Sequence, residues 1–280
     1  MSDTKTMSKV TEVTITKADL KSKDFVPRGN KSSSPFNTSL YLGLRALDCY
    51  WQYMVLSQGY GSYFIRLLRG TVIPIAAVTD TGVELIDNLG LSGFRQVLLL
   101  MNVLAAAKHF WFVLHVAEEA WTLPGAIIVG LDNIFFDTLN NFLFLCAATS
   151  AASHTSGETL ANPYLLAGFA LFVIGIGLEC VCEVDRKLFK AGKKNKGKPY
   201  TAGLFAVVRH PNYAAFTVWR AGLAVATSGI TAGLVIATFF TWDFSNRAVP
   251  ALDEYCSKRY GQMWTDYKKK TTFTLIPYVL

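Results

Sequence analysis

Charge is scarce in this chain. Of its 280 residues only 17% are Asp, Glu, Lys or Arg, while 51% are hydrophobic and the mean hydropathy is positive. That balance excludes an ordinary soluble enzyme of this size and predicts an integral membrane protein. An apolar stretch is missing from the first 38 residues, which are rich in Ser, Thr and Lys and include Lys31-Ser-Ser-Ser-Pro35. Without an apolar h-region the segment is no secretory signal, and Asp3, Glu12, Asp19 and Asp24 argue against a transit peptide. Residues 1–38 therefore read as a disordered tail. Cysteine is also sparse: Cys49, Cys146, Cys180, Cys182 and Cys256 are odd in number and lie mostly in apolar surroundings, which excludes a secreted disulfide framework. Cys180 and Cys182 would point to different faces of a helix, so no metal centre is expected there.

Acid is absent from residues 186–198, where Arg186, Lys187, Lys190, Lys193, Lys194, Lys196 and Lys198 stand together. A nucleic-acid partner is not expected, because this run is flanked by apolar spans rather than set on a basic domain. The positive-inside rule places it, and Lys268, Lys269 and Lys270 near the C-terminus, on the cytosolic side of a membrane.

What is present is a series of apolar runs, judged against the roughly 20 residues that cross a hydrocarbon core. They are 71–86, 97–116, 125–148, 165–181 and 214–242, with an aromatic-rich segment over 40–56 that Arg45 and Asp48 interrupt. The last run is almost 30 residues long, holds Ser228-Gly229 near its middle and has basic flanks on both sides, which favours a tight hairpin of two helices over one long tilted helix. The expected fold is all-α: a polytopic transmembrane helix bundle of about 5 to 7 spans. Its N-terminal transmembrane helices occupy residues 39–160 and a C-terminal transmembrane domain occupies 161–280.

Polar residues inside spans are expensive and face a cavity or one another. Lys108, His109, His115, Glu118, Glu119, Asp132, Asp137, Asn140, Asn141 and Arg220 form the pool of pocket candidates. His115 and Glu119 have the i, i+4 spacing of a metal pair, a spacing that a plain hydrogen bond explains equally well.

The most informative stretch runs from Lys198 to Tyr213 and ends in Arg209-His210-Pro211-Asn212-Tyr213, a cationic, hydrogen-bonding cluster directly before an apolar run. Arg209 can hold a phosphate bidentately, His210 and Asn212 add donors, and Pro211 fixes the backbone between them. Such residues also serve as plain interfacial anchors.

Glu179, Asp185-Arg-Lys187, the basic run, Gly203-Leu-Phe205, the Arg209 to Tyr213 box, Tyr260-Gly-Gln-Met-Trp264-Thr-Asp-Tyr267 and Ile276-Pro277 occur in an order that resembles the C-terminal domain of the steroid 5-alpha-reductase and sterol-reductase group. The resemblance covers roughly the last 100 residues. An Arg-His-Pro-x-Tyr motif occurs also in isoprenylcysteine carboxyl methyltransferases and phospholipid methyltransferases. The resemblance implies a C-terminal half facing the cytosol and closing over NADPH, in the endoplasmic reticulum. It further implies reduction of a C=C bond in a lipid, sterol or terpenoid-like substrate by an oxidoreductase acting on CH–CH groups. Asp185, Lys187, Arg209, His210, Asn212, Tyr213, Tyr255 and Tyr267 are the implied cofactor residues, with Glu119 and Tyr213 as catalytic candidates. The alternatives are a methyltransferase using S-adenosylmethionine, in which a carboxylate such as Glu254 joins Arg209 and His210, or a non-catalytic relative. One departure counts against the reductase pattern. The Gly and acid that usually follow Asn-Tyr are replaced by Ala214, Ala215 and Phe216.

Overall fold

The computed structural model describes residues 29–57, 59–74, 76–155 and 157–279. The expected tail lies outside these residues up to 28, while Pro35 already opens the first helix, α1 (Pro35–Ser57). There follow α2 (Tyr60–Leu67), the single turn α3 (Glu84–Asp87), α4 (Gly93–Trp111, ending in a π turn over Phe112–Val116), α5 (Leu123–Leu145) and α6 (Pro163–Ala191). Then come α7 (Pro211–Asp243, followed by a π turn over Phe244–Ala248), α8 (Val249–Tyr260) and α9 (Gln262–Lys270). The chain is an all-α membrane bundle. Among the described residues four stretches, Gly93–Val116, Leu123–Leu145, Pro163–Ala191 and Pro211–Tyr260, are long and apolar enough to cross a membrane.

Local chemistry starts these helices. The Thr122 hydroxyl accepts from the Gly125 N–H at 3.1 Å, and the Asn162 side chain accepts from Tyr164 and Leu165 N–H at 3.0 and 3.3 Å. In both cases proline occupies the first turn, where its missing N–H is no loss. Over 71–86, expected as a short span, the described residues form no helix before the lone turn α3. Ile73 N–H donates to the Leu145 carbonyl at 2.9 Å and Ala147 N–H to Thr71 at 2.8 Å, so the segment borrows its hydrogen bonds from the end of α5. Polar Thr79, Asp80 and Thr81 make it too short a run for lipid.

α7 is folded back on itself. Gly229 has φ 81° and ψ −175°, a backbone that only glycine adopts readily, and it splits the helix. Tyr213 stacks on Phe244 with ring centroids 4.7 Å apart, although 31 residues of straight helix would separate them by about 46 Å. The hairpin is therefore real, and a single tilted helix is excluded. Backbone contacts at both ends show alternating helix directions. Asn37 donates to the Trp121 carbonyl and Lys187 to that of His115 at one end. Arg95 donates to Leu56 and Ala151 N–H to Thr227 at the other. Among the described residues, α1, α4, α5, α6 and the two limbs of α7 alternate in direction in this way.

The closest helix pair is α6 against the first limb of α7. A Cβ on Gly168 would sit 2.4 Å from the Ala226 nitrogen, one on Gly175 2.5 Å from that of Trp219, and one on Gly222 2.7 Å from the Gly168 carbonyl oxygen. In lipid, where no hydrophobic drive exists between helices, small residues that let backbones touch hold such a pair together. Leu171, Ile174, Leu178 and Val181 of α6 stay exposed and give it an apolar face for lipid.

Candidate active site

Two polar regions lie along α7. The first is the mouth of the helix, at the Arg-His-Pro-Asn-Tyr box. Pro211 begins α7, so the box straddles a loop and a helix start. The Arg209 guanidinium donates to the carbonyls of Thr271 and Thr272 at 2.9 and 2.7 Å and to the Thr274 hydroxyl at 2.7 Å. The backbone N–H groups of Arg209 and His210 donate to Phe273 and Thr274, both at 3.0 Å. Arg209 thus clamps the C-terminal segment across the mouth. Tyr267 supports the same clamp, its hydroxyl donating to the Phe205 carbonyl at 2.6 Å; burial pushes that hydroxyl's pKa up, against the pull of the nearby Arg209 charge. Tyr255, which accepts from Arg259, packs with Cys256, Trp264 and Tyr267 in the same supporting layer.

His210, Asn212 and Tyr213 face elsewhere. His210 is buried and its ring stacks on Tyr213 at 5.6 Å, which stacks in turn on Phe244. Asn212 donates to Glu183 of α6 at 3.1 Å, and Glu183 also pairs with Arg186. Asp185, two positions after Glu183 and so about 200° further round α6, is partly exposed. Gly203 has φ 57°, and a Cβ on it would meet the Tyr200 hydroxyl at 3.1 Å and Asp185 Oδ2 at 3.4 Å, so backbone, phenol and carboxylate converge. Burial and the Asp185 charge push the Tyr200 hydroxyl's pKa up. Lys187 is drawn away to the His115 carbonyl, and Glu119 stands at the rim beyond the π turn, near Lys190. The sequence-expected residues therefore share one end of the bundle but divide into a clamp on the C-terminal segment with its supporting layer (Arg209, Tyr255, Tyr267) and a group packed against α6 and Phe244 (Asp185, His210, Asn212, Tyr213).

The second region is a belt of charge inside the bundle. Asp137 of α5 takes Arg220 of α7 at 2.7 Å and Arg45 of α1 at 3.2 Å, and Arg45 also pairs with Asp48. Arg220 reaches Asn133 as well, and its guanidinium lies 4.5 Å from the Trp219 ring centroid. Lys108 of α4 pairs with Glu179 of α6, which accepts from the Trp219 ring N–H at 2.8 Å. Asp137, Lys108 and Arg220 were in the pool of sequence candidates. Arg45 and Asp48 were read only as interruptions of a doubtful helix, and the signal that could have found them was the opposite charge waiting on α5.

The chain belongs to the family described as protein of unknown function (DUF1295), whose model matches residues 113–271, more than half its length. It is 69% identical over 250 residues to the probable O-methyltransferase ustE of Ustilaginoidea virens, with 88% of each chain covered. More distant relatives are protein-S-isoprenylcysteine O-methyltransferase B of Arabidopsis thaliana, 24% identical over 83 residues (30% of this chain, 42% of that one), and protein-S-isoprenylcysteine O-methyltransferase of Schizosaccharomyces pombe, 28% identical over 81 residues (29% and 34%). The resemblance to membrane proteins of methyltransferase-like architecture stands.

The reductase activity inferred from it does not. The 69% relative and the isoprenylcysteine enzymes overturn the expectation of an NADPH-dependent oxidoreductase acting on a C=C bond. The geometry shows where the expectation went wrong. It treated the positive charge of 186–198 and Arg209 as available to a dinucleotide's phosphates. In the structure Arg186 is paired with Glu183, Lys187 is tied to a carbonyl, and Arg209 is committed to the C-terminal segment. Where the reductase pattern carries an acid, Phe216 packs edge-on against Trp219, Phe240 and Phe244.

Proposed function

We propose that this protein is an integral membrane O-methyltransferase that takes its methyl group from S-adenosylmethionine and transfers it to a lipid-soluble acceptor. The observation that carries the reading is the 69% identity, across 88% of both chains, to a probable O-methyltransferase. The mouth of α7 is compatible with that donor. S-adenosylmethionine is a small cation-bearing nucleoside, and aromatic faces attract such a sulfonium; the stacked His210, Tyr213 and Phe244 rings supply them. Asp185, Tyr200 and Asn212 are hydrogen-bonding groups of the kind that suit sugar hydroxyls and an amino-acid end. In this reading His210, Asn212, Tyr213 and Asp185 hold the donor, while Arg209, Tyr255 and Tyr267 act by holding the C-terminal segment over it. Lys187 and Glu119 stand at the rim. When bound, the donor supplies an electrophilic methyl carbon; the chain's part is to orient it and keep water away.

The lysine-rich end, with the C-terminal segment, faces the cytosol under the positive-inside rule. The six alternating helical segments correspond to six membrane crossings, within an endoplasmic reticulum bilayer. The acceptor reaches the site from the lipid, in keeping with the relatives named for isoprenylcysteine. The test is calorimetric titration of the detergent-purified protein with S-adenosylmethionine and, separately, with NADPH. Binding of S-adenosylmethionine that weakens at least tenfold in Tyr213→Leu is the expected result. No binding of S-adenosylmethionine to the folded wild-type chain would overturn the proposal.

A further inference from the structure

The belt has a property that ion pairing alone does not explain. Arg45 is 0% exposed, Arg220 1%, Asn140 3% and His109 7%, yet each holds a buried polar atom without a hydrogen-bond partner in the chain. These atoms are Nε and Nη2 of Arg45, Nε of Arg220, Nδ1 of His109 and Oδ1 of Asn140. They come from α1, α7, α4 and α5 and meet in one cluster. The two arginines share Asp137, and Asn140 lies one turn further along the same helix. The His109 ring is 6.1 Å from that of Trp219, over which Arg220 lies, and 6.3 Å from that of Tyr41, one turn before Arg45. Buried polar groups are almost always satisfied, so a cluster of exceptions implies something that satisfies them.

The charges narrow what that is. Arg45 and Arg220 are balanced by Asp48 and Asp137, and Lys108 by Glu179. Each cation of the belt thus has a carboxyl partner, whereas the atoms named above have none. An anionic ligand would add an uncompensated charge in a low-dielectric interior, whereas a neutral group with an acceptor oxygen and a hydroxyl would meet the unpartnered atoms at no such cost. The belt also lies on the path from the mouth. Tyr213, Phe216 and Arg220 follow one another along a face of α7, with about 10 Å of helix between the first and the last.

We propose that the belt binds the methyl acceptor by a neutral, oxygen-bearing end, and that the acceptor is a lipophilic hydroxy-carbonyl or phenol-type molecule rather than a carboxylate. Its carbonyl oxygen accepts from Arg45 and Arg220, and its hydroxyl, held on the mouth side of the arginines, donates to His109. In methyl transfer the hydroxyl oxygen forms the new O–C bond with its lone pair, the S–C bond of the sulfonium breaks with its electron pair left on sulfur, and the hydroxyl proton passes to His109 Nδ1. The proposal rests on the methyltransferase reading and names its substrate class.

Two near-isosteric variants, Asn140→Leu and His109→Phe, remove unpartnered atoms without breaking an ion pair. The probes are 1-hydroxy-2-acetonaphthone, a neutral hydroxy-ketone, and S-farnesyl-N-acetylcysteine, a carboxylate. Binding is followed by tryptophan fluorescence of the full-length protein in detergent, with S-adenosylmethionine titrated calorimetrically in parallel. Expected are hydroxy-ketone binding tighter than that of the carboxylate, a loss of at least tenfold in His109→Phe, a smaller loss in Asn140→Leu on the deeper side of the belt, and unchanged affinity for S-adenosylmethionine. The proposal falls if the carboxylate binds better. It falls equally if both variants bind the hydroxy-ketone as the wild type does, or if S-adenosylmethionine binds while neither probe does, the belt then holding only water. Failure of S-adenosylmethionine to bind the wild type is a separate result and counts against the methyltransferase reading.

Discussion

Arg209 and Arg220 lie eleven positions apart on one segment and do different work. At the mouth of α7, Arg209 reaches three oxygens of a segment more than 60 residues away and fastens it in place. In the belt, Arg220 shares one carboxylate with Arg45 and stays incompletely satisfied. The mouth is built from neutral carbonyls and aromatic rings at a helix start, beside water. The belt is built from paired charges that five helices supply. The contrast teaches that an arginine in a recognisable motif can be a structural clamp, while one without any motif can be the buried group left with hydrogen-bonding capacity to spare.

The sharpest way to test that contrast is to remove the shared carboxylate. Asp137→Asn leaves two buried guanidinium groups short of an anion and is expected to cost about 3–5 kcal/mol, read as loss of folded protein in detergent. A variant as stable as the wild type would mean that the belt is hydrated and open. Arg209→Ala comes next. It removes charge-assisted hydrogen bonds to the C-terminal segment and is expected to lower stability by about 2 kcal/mol, with new protease cleavage after Tyr267. Lost S-adenosylmethionine binding with an intact, protected segment would instead make Arg209 a ligand group.

Tyr213→Leu should separate binding from folding. Loss of its ring stacking costs about 1 kcal/mol, while affinity for S-adenosylmethionine drops at least tenfold. The smallest effect belongs to an exposed pair that the belt can be measured against, Lys31 and Glu118. The hydrogen bond from Lys31 holds the Glu118 carboxyl below the usual range. Its contribution is therefore complete above the ordinary glutamate pKa of about 4.3 and fades as pH falls through the depressed value. Glu118→Gln should change the melting temperature little at pH 7, less than about 1 kcal/mol in stability, and not at all once the wild-type carboxyl is protonated.

The apolar runs over 97–116, 125–148 and 165–181 were legible because lipid-facing helices must be apolar almost throughout, and Pro211 and Gly229 marked where the last one starts and turns. Residues 71–86 were misread, since a short apolar run has the same composition whether it crosses a membrane or lies extended over the end of α5. The box from Arg209 to Tyr213 was legible as a site, but its division of labour was not. The partners of Arg209 are at 271–274, and no local pattern announces them. Likewise Arg45 and Asp137 are 92 positions apart, so each reads as an isolated liability until the helices are laid side by side. Donor chemistry was misjudged because exposed lysines such as Lys193, Lys194, Lys196 and Lys198 suit anionic lipid headgroups as well as a dinucleotide, so their number does not identify a cofactor.

The glycine seam between α6 and α7 has no graded alternatives. The smallest possible change at Gly168, to alanine, puts a carbon 2.4 Å from one backbone nitrogen and 2.5 Å from a carbonyl oxygen, neither of which can swing aside as a side chain would. No single substitution can therefore loosen this pair by a little. Sequence drift along α6 is directed instead to Leu171, Ile174 and Leu178, whose lipid-facing positions accept any side chain of similar greasiness. Two relatives of this chain could thus differ widely around the circumference of α6 and still be interlocked along one unvarying line.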